Sequence, residues 1–334
     1  MRSRQSTLTR REILRGAAGM ALLPAMFSTA ISSAMEVEKP LIIDTHQHLW
    51  DLTKIKLPWV EHAGPLYNQN YRTGEYIEAT RGLNVKAVYM EVDSPAVERA
   101  IEAEYAIELC RSKTKPTIAA VIGANPADPG FREFVKRFKA TGFVRGIRQV
   151  LHSSATPPGT CLKDEFVRGI QFLGTQELAF DLCMRTAELS DGLKLSQLCP
   201  DTRLIVDHCG NADPVAFLAN PPVGMKPSHD AEAWKRDMAA LAKRSNVICK
   251  ISGIVARAPE VWAAEMLAPI VNHCLDTFGP DRVVFGGDWP ICLKRTSLAN
   301  WIDALKQIVA SRPAIQQRKL WAENARRLYS LAAV

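Results

Sequence analysis

Two histidines one residue apart close an apolar run, Leu41-Ile42-Ile43-Asp44-Thr45-His46-Gln47-His48-Leu49-Trp50-Asp51. The run has the β-branched composition of a buried strand. Side chains on a strand alternate faces, so His46 and His48 point the same way, a few ångströms apart. Two imidazoles so placed are either half of a metal site or two polar residues where a strand gives way to a loop. The other half has to come from elsewhere in the chain. Asp207-His208-Cys209-Gly210 and Gly287-Asp288-Trp289-Pro290 each set an ionisable side chain just beyond another apolar run. Three imidazoles and a carboxylate are the N and O donors a catalytic divalent cation takes, with one position left for water.

Whether these groups meet depends on the elements that carry them. Strand-like runs recur at residues 85–92, 117–123, 144–151, 178–184, 203–210, 246–253 and 281–290. Helix-like stretches lie between them, at 72–82, 96–110, 131–140, 165–173, 191–198, 230–243 and 259–278, and two more close the chain at 298–311 and 314–331. Long connections cover residues 51–71 and 211–227. Eight short strands alternating with helices, none joined by tight turns, call for parallel pairing through crossovers. The count and the length predict an α/β fold, a single (β/α)8 TIM barrel over residues 35–334. A doubly wound sheet is the alternative, but no Gly-rich phosphate loop follows any strand.

In such a barrel the functional groups come from the carboxyl ends of the strands. Read in order, those ends supply His46 and His48, then Glu91, Arg148, His208, Lys250 and Asp288. His46, His48, His208 and Asp288 are the candidate metal ligands, and Asp288 and His208 the candidate catalytic pair. The planar fork of Arg148 suits a substrate carboxylate or hydroxyls, and Lys250 can share that work. Glu91 either meets substrate or forms a structural ion pair. Trp289 offers an aromatic face to a sugar ring, or packs loops as Trp50 and Trp59 are expected to do. His62, His152, His229 and His273 read as loop or surface residues.

Composition narrows the function classes. Of the formal +7 charge, residues 1–34 carry five arginines against one acid, leaving a nearly balanced remainder. That balance gives no reason to expect nucleic acid or an anionic membrane as partner. Thr9-Arg10-Arg11-Glu12-Ile13-Leu14-Arg15, a short apolar stretch and Ser32-Ser33-Ala34 follow in the order of a twin-arginine signal peptide. Residues 1–34 are therefore expected to engage the twin-arginine export machinery, placing a folded product in the periplasm or cell envelope with no stable membrane insertion once the signal is removed. The eight cysteines show no Cys-x-x-Cys. Cys183, Cys209, Cys249 and Cys274 read as small core hydrophobes, while one bridge among Cys110, Cys161, Cys199 and Cys292 stays open.

From about residue 41 to 329 the chain resembles the amidohydrolase-related branch of the amidohydrolase superfamily, and within it the sugar-lactone and dicarboxylate-lactone hydrolases. The matching pieces are the His46-Gln47-His48 run, Arg145-Gly146-Ile147-Arg148, Phe180-Asp181-Leu182-Cys183, Asp207-His208-Cys209-Gly210, Lys250-Ile251-Ser252-Gly253 and Gly287-Asp288-Trp289-Pro290. The resemblance implies a lactone hydrolase with Asp288 as general base and acid. It also implies one divalent metal, zinc first, although some lactonases of the branch work without any. Arg148 and Gln149 stand where binuclear relatives carry a carboxylated lysine, so a single ion is expected. The sequence departs from the pattern where Gly210 leads into Asn211-Ala212-Asp213-Pro214 and where Glu91 ends the second strand. A non-oxidative decarboxylase on the same barrel is the alternative enzyme. Asp181 and Cys183, where those relatives tend to carry a histidine, count against it. A catalytically inactive exported carbohydrate-binding barrel is the non-enzymatic alternative.

Overall fold

A parallel barrel buries both faces of every strand, so each strand must carry two apolar rows. The computed structural model describes residues 39–332 and arranges eight such strands. They are β1 (Leu41–Gln47), β2 (Asn84–Met90), β3 (Thr117–Gly123), β4 (Val144–Val150), β5 (Ala179–Cys183), β6 (Leu204–Val206), β7 (Val247–Ile251) and β8 (Val283–Phe285). All pair in parallel in chain order. A parallel bridge between Gln47 and Trp289 returns the eighth strand to the first, with His48 N donating to Trp289 O at 2.8 Å. The fold is the expected TIM barrel.

The outer row, including Ala87, Tyr89, Ala120, Ile122, Phe180 and Leu182, packs under the helices. The inner row starts apolar, with Ile43, Val88, Val121, Ala179, Ile205, Ile248 and Val284 in one cluster. Leu328, Tyr329 and Leu331 from the C-terminal segment join that cluster and plug the barrel. Towards the carboxyl ends the same row turns ionisable: Ala179 is followed two residues on by Asp181, Ile205 by Asp207 and Ile248 by Lys250. One half of the barrel is a dry plug and the other a buried layer of charges.

β6 and β8 are three residues each, shorter than the apolar runs that contain them. The chain leaves the ladder because His208, Cys209, Gly210 and Asn211 all take positive φ (54°, 53°, 69° and 56°), and Asp288 does too (52°). The expected helix over 259–278 begins only at Ala264, after a 3-10 turn at Ile254–Arg257. The last expected helix is broken by a wide π turn, Lys319–Glu323. The 51–71 connection contains a short helix, Pro58–His62. All eight cysteines are buried free thiols, so no bridge joins Cys110, Cys161, Cys199 and Cys292. Among the described residues no helix is long and apolar enough to cross a membrane. The twin-arginine segment lies outside the described residues.

Candidate active site

Asp44 organises the end of β1. One carboxylate oxygen accepts from His46 N (2.9 Å) and from Gly287 N (2.6 Å), and the other from the Tyr76 hydroxyl (2.8 Å). This ties the His-x-His segment to the segment that carries Asp288, and Asp288 N donates to His46 O at 2.9 Å. Close approach is why two glycines precede Asp288. A Cβ on Gly286 would lie 2.8 Å from His46 Cβ, and one on Gly287 would lie 2.5 Å from Asp44 Oδ2.

The two histidines and the aspartate converge as their spacing predicts. Asp288 Oδ1 lies 3.4 Å from His48 Nε2 and 3.7 Å from His46 Nε2, so one carboxylate oxygen faces both imidazoles. A tetrahedral ion with bonds of about 2.1 Å has donor–donor edges of about 3.4 Å, so this trio fits a divalent metal such as zinc. His48 also has the outer contact such ligands use: its Nδ1 lies 3.1 Å from Met90 O, which leaves Nε2 to face the centre. Burial above all, and then Lys250, pushes His46 well below the ordinary imidazole range, keeping it neutral as a ligand must be.

His208 is not part of that trio. It packs on His46 with ring centroids 4.5 Å apart and groups with His46 and Asp207 instead. Its Nδ1 is 2.9 Å from Ser252 Oγ, so Nε2 is the edge left for the cavity. Burial lowers its pKa as well. The turn that carries it, His208–Asn211, is left-handed at all four residues, a conformation that costs roughly 1–2 kcal/mol per non-glycine residue. Surrounding bonds hold it there. Trp234 Nε1 donates to Cys209 O (2.9 Å), Thr186 Oγ1 to Asn211 O (3.0 Å) and Asn211 Nδ2 to Met184 O (2.7 Å).

Below the mouth, Lys250 is fully buried, donating to Asp181 and lying 3.0 Å from Asp207 Oδ1 and 3.2 Å from His46 Nδ1. Burial raises the Asp181 carboxyl to about 7, and Lys250 opposes the shift. Burial also acts to raise Asp207, but the charge of Lys250, foremost among the opposing causes, helps hold that carboxyl well below its usual range. Arg148 donates Nε to Glu91 Oε1 (2.5 Å) and Nη2 to Glu91 O (2.7 Å), while its Nη1 lies 3.3 Å from His46 Nε2. Coordination by His46 Nε2 therefore requires that Nη1 to withdraw.

Three candidate substrate contacts stand off the wall of the cavity. Lys250 is sealed in the charged layer one step beneath the mouth. Glu91 is committed to Arg148 rather than to substrate. Trp289 is buried between the rings of Tyr71 (5.1 Å) and Tyr76 (5.4 Å) and does not face the cavity. Arg148, His48, His208 and Asp288 do line one cavity of about 480 Å³ at the barrel mouth. Its walls include Trp50, Trp59 and His152, which read from sequence as packing or loop residues, and Asn211, Arg257 and Lys294, which the sequence did not single out. Asp181 and Asp207 had a signal, since both continue the inward row of their strands. Arg257 lies beyond a strand end and had none, and Asn211 was marked only by the departure from the family pattern that it begins.

A parallel barrel whose mouth gathers two histidines, an aspartate and a third histidine around one cavity is the site of a TIM-barrel hydrolase. The chain belongs to the amidohydrolase family, whose profile matches residues 43–331. It is similar to the L-fucono-1,5-lactonase of Burkholderia multivorans, at 26% identity over 301 residues covering 87% of this chain and 96% of that one. It is also similar to the L-rhamnono-gamma-lactonase of Scheffersomyces stipitis, at 25% identity covering 88% of this chain and all of the other. A crystal structure of a Burkholderia multivorans amidohydrolase with bound zinc shares the fold with a TM-score of 0.74 at 24% identity, covering 87% of this chain and 100% of that one.

Proposed function

We propose that this hydrolase opens a lactone by water attack on the ring ester, with Asp288 as general base and then general acid. The observation that carries this reading is the convergence of His46, His48 and Asp288, with His208 beside them, on the floor of one cavity. Lactonase relatives along nearly the whole chain support the substrate class. His46, His48 and Asp288 would hold one divalent ion, zinc by the chemistry of the donors and by likeness to the zinc-bound relative. Bound there, such an ion supplies Lewis acidity that lowers the pKa of water and polarises a carbonyl.

The chain's own groups do the rest. Asp288 Oδ1 faces both histidines, which leaves Oδ2 to take a proton from the attacking water. His208 Nδ1 lies 2.9 Å from Ser252 Oγ; accepting from that hydroxyl, it would present Nε2–H to the carbonyl oxygen as charge builds there. The water oxygen bonds to the carbonyl carbon, and the bond from that carbon to the ring oxygen breaks. The proton held on Asp288 passes to the ring oxygen, and the new carboxylic acid ionises, releasing one proton to solution. Trp50 and Trp59 wall the cavity and exclude water from one side of the substrate.

The export signal read in residues 1–34 would place this activity in the cell envelope. A pH-indicator screen of aldonolactones, aldarolactones and pyrone dicarboxylates tests the function. Release of one acid equivalent per ring opened is the expected result, whereas release of CO2 instead of acid would transfer the chain to the decarboxylases.

A further inference from the structure

Arg257 and Lys294 stand on the wall of the active-site cavity with no ion-pair partner among the described residues. Each ends a 3-10 turn that follows a strand: Ile254–Arg257 after β7 and Ile291–Lys294 after β8. The two turns pack together, and Arg295 Nε donates to Ala258 O at 2.6 Å, so the residues next to the two cations are tied. Arg257 is also aimed. Its Nη2 donates to Asn211 Oδ1 at 3.1 Å, and Asn211, only 4% exposed, is fixed by its bond to Met184 O. Asn211 closes the same left-handed turn that His208 opens. One strained turn thus positions both the proposed electrophile and the guanidinium.

The other cations near the centre are spent. Arg148 is paired with Glu91, and Lys250 with Asp181 and Asp207. Two unanswered cations, one held by a buried amide, in a cavity sized for a small ring make an anion site rather than a hydroxyl site. We propose that Arg257 and Lys294 form an anion subsite, and that the substrate is a lactone bearing a carboxylate outside the ring, gripped by this pair while Asp288 and His208 act on the ring ester. The substrate part of this inference rests on the lactonase reading; the anion subsite does not.

The test compares an aldonolactone with the aldarolactone of the same ring, which differ by CH2OH against a carboxylate. Calorimetric binding to the Asp288→Asn protein requires no turnover. The aldarolactone is expected to bind about tenfold or more tightly than its neutral counterpart. That preference should shrink as salt rises. Arg257→Gln should erase most of it, Arg257→Lys should keep most of it, and Lys294→Gln should weaken it, with melting temperatures confirming each fold. Equal affinity for the two lactones, or an Arg257→Gln protein that keeps the preference, overturns the subsite. Kinetics on the unaltered chain separate the two claims. A lower KM for the aldonolactone removes the subsite and leaves the hydrolase. Tight, Arg257-dependent binding of the aldarolactone with neither lactone opened keeps the subsite and removes the lactonase.

Discussion

Gly253 leaves room for His208: a Cβ at position 253 would sit 2.3 Å from the Nδ1 of that histidine. The glycine also has a φ of +68°, which L side chains rarely adopt. The ring of His208 occupies the space a side chain would have taken, and that is what turns its Nε2 to the cavity.

Gly253→Ala should therefore cost activity through His208. The expected result is a kcat lower by about a hundredfold. The fold should be destabilised by roughly 1–3 kcal/mol from the left-handed backbone and the displaced ring. Steady-state kinetics and thermal melts check both numbers, and a variant with normal kcat would show that the orientation of His208 does not matter.

His46→Ala and His48→Ala should each remove most of the bound divalent ion from protein purified without chelator. Elemental analysis reads this directly. Dialysis of the unaltered chain against a chelator should lower activity, and added zinc should restore it. Full activity in the chelated protein would mean that the trio only orients water and substrate.

Arg148 Nη1 lies 3.3 Å from the Nε2 of His46 that the ion would use, so a cation held on that nitrogen would face the guanidinium charge and be repelled by it. Arg148→Gln should accordingly tighten zinc binding by about tenfold, measured by competition with a chromophoric chelator. Weaker binding in that variant would assign Arg148 to holding the ligands in place.

Lys250 balances Asp181 and Asp207 out of contact with water. Lys250→Met leaves two buried carboxylates without their cation, and denaturant unfolding should show a loss of roughly 3–5 kcal/mol. Adding Asp181→Asn to Lys250→Met should recover part of that loss, because one stranded charge is removed.

Much of the barrel was legible because two-sided burial makes each strand a short, nearly continuous apolar run, and eight such runs leave few topologies. His46, His48 and Asp288 were legible for a related reason: ionisable residues at the carboxyl ends of those runs have nowhere to point but the mouth. Depth was harder to read. Lys250 lies only two residues past the core residue Ile248, so it stops in the charged layer beneath the cavity, although its residue type suits a substrate contact. Trp289 follows Asp288, where a left-handed residue redirects the chain, and its indole is carried away from the cavity into the Tyr71–Tyr76 cluster. The anchoring of Arg257 by Asn211 depends on four consecutive positive φ values, of which only Gly210 leaves a trace in the sequence.

The ester hydrolysis proposed for this mouth turns on proton transfer by Asp288. The direct measurement is pH-stat hydrolysis of a responsive lactone by the unaltered chain and by Asp288→Asn, each adjusted to the same metal content. Steady acid release is expected from the first and a rate lower by about 10²–10⁴-fold from the second, with the melting temperature preserved. An Asp288→Asn protein that opens the ring at the unaltered rate would contradict proton transfer by Asp288.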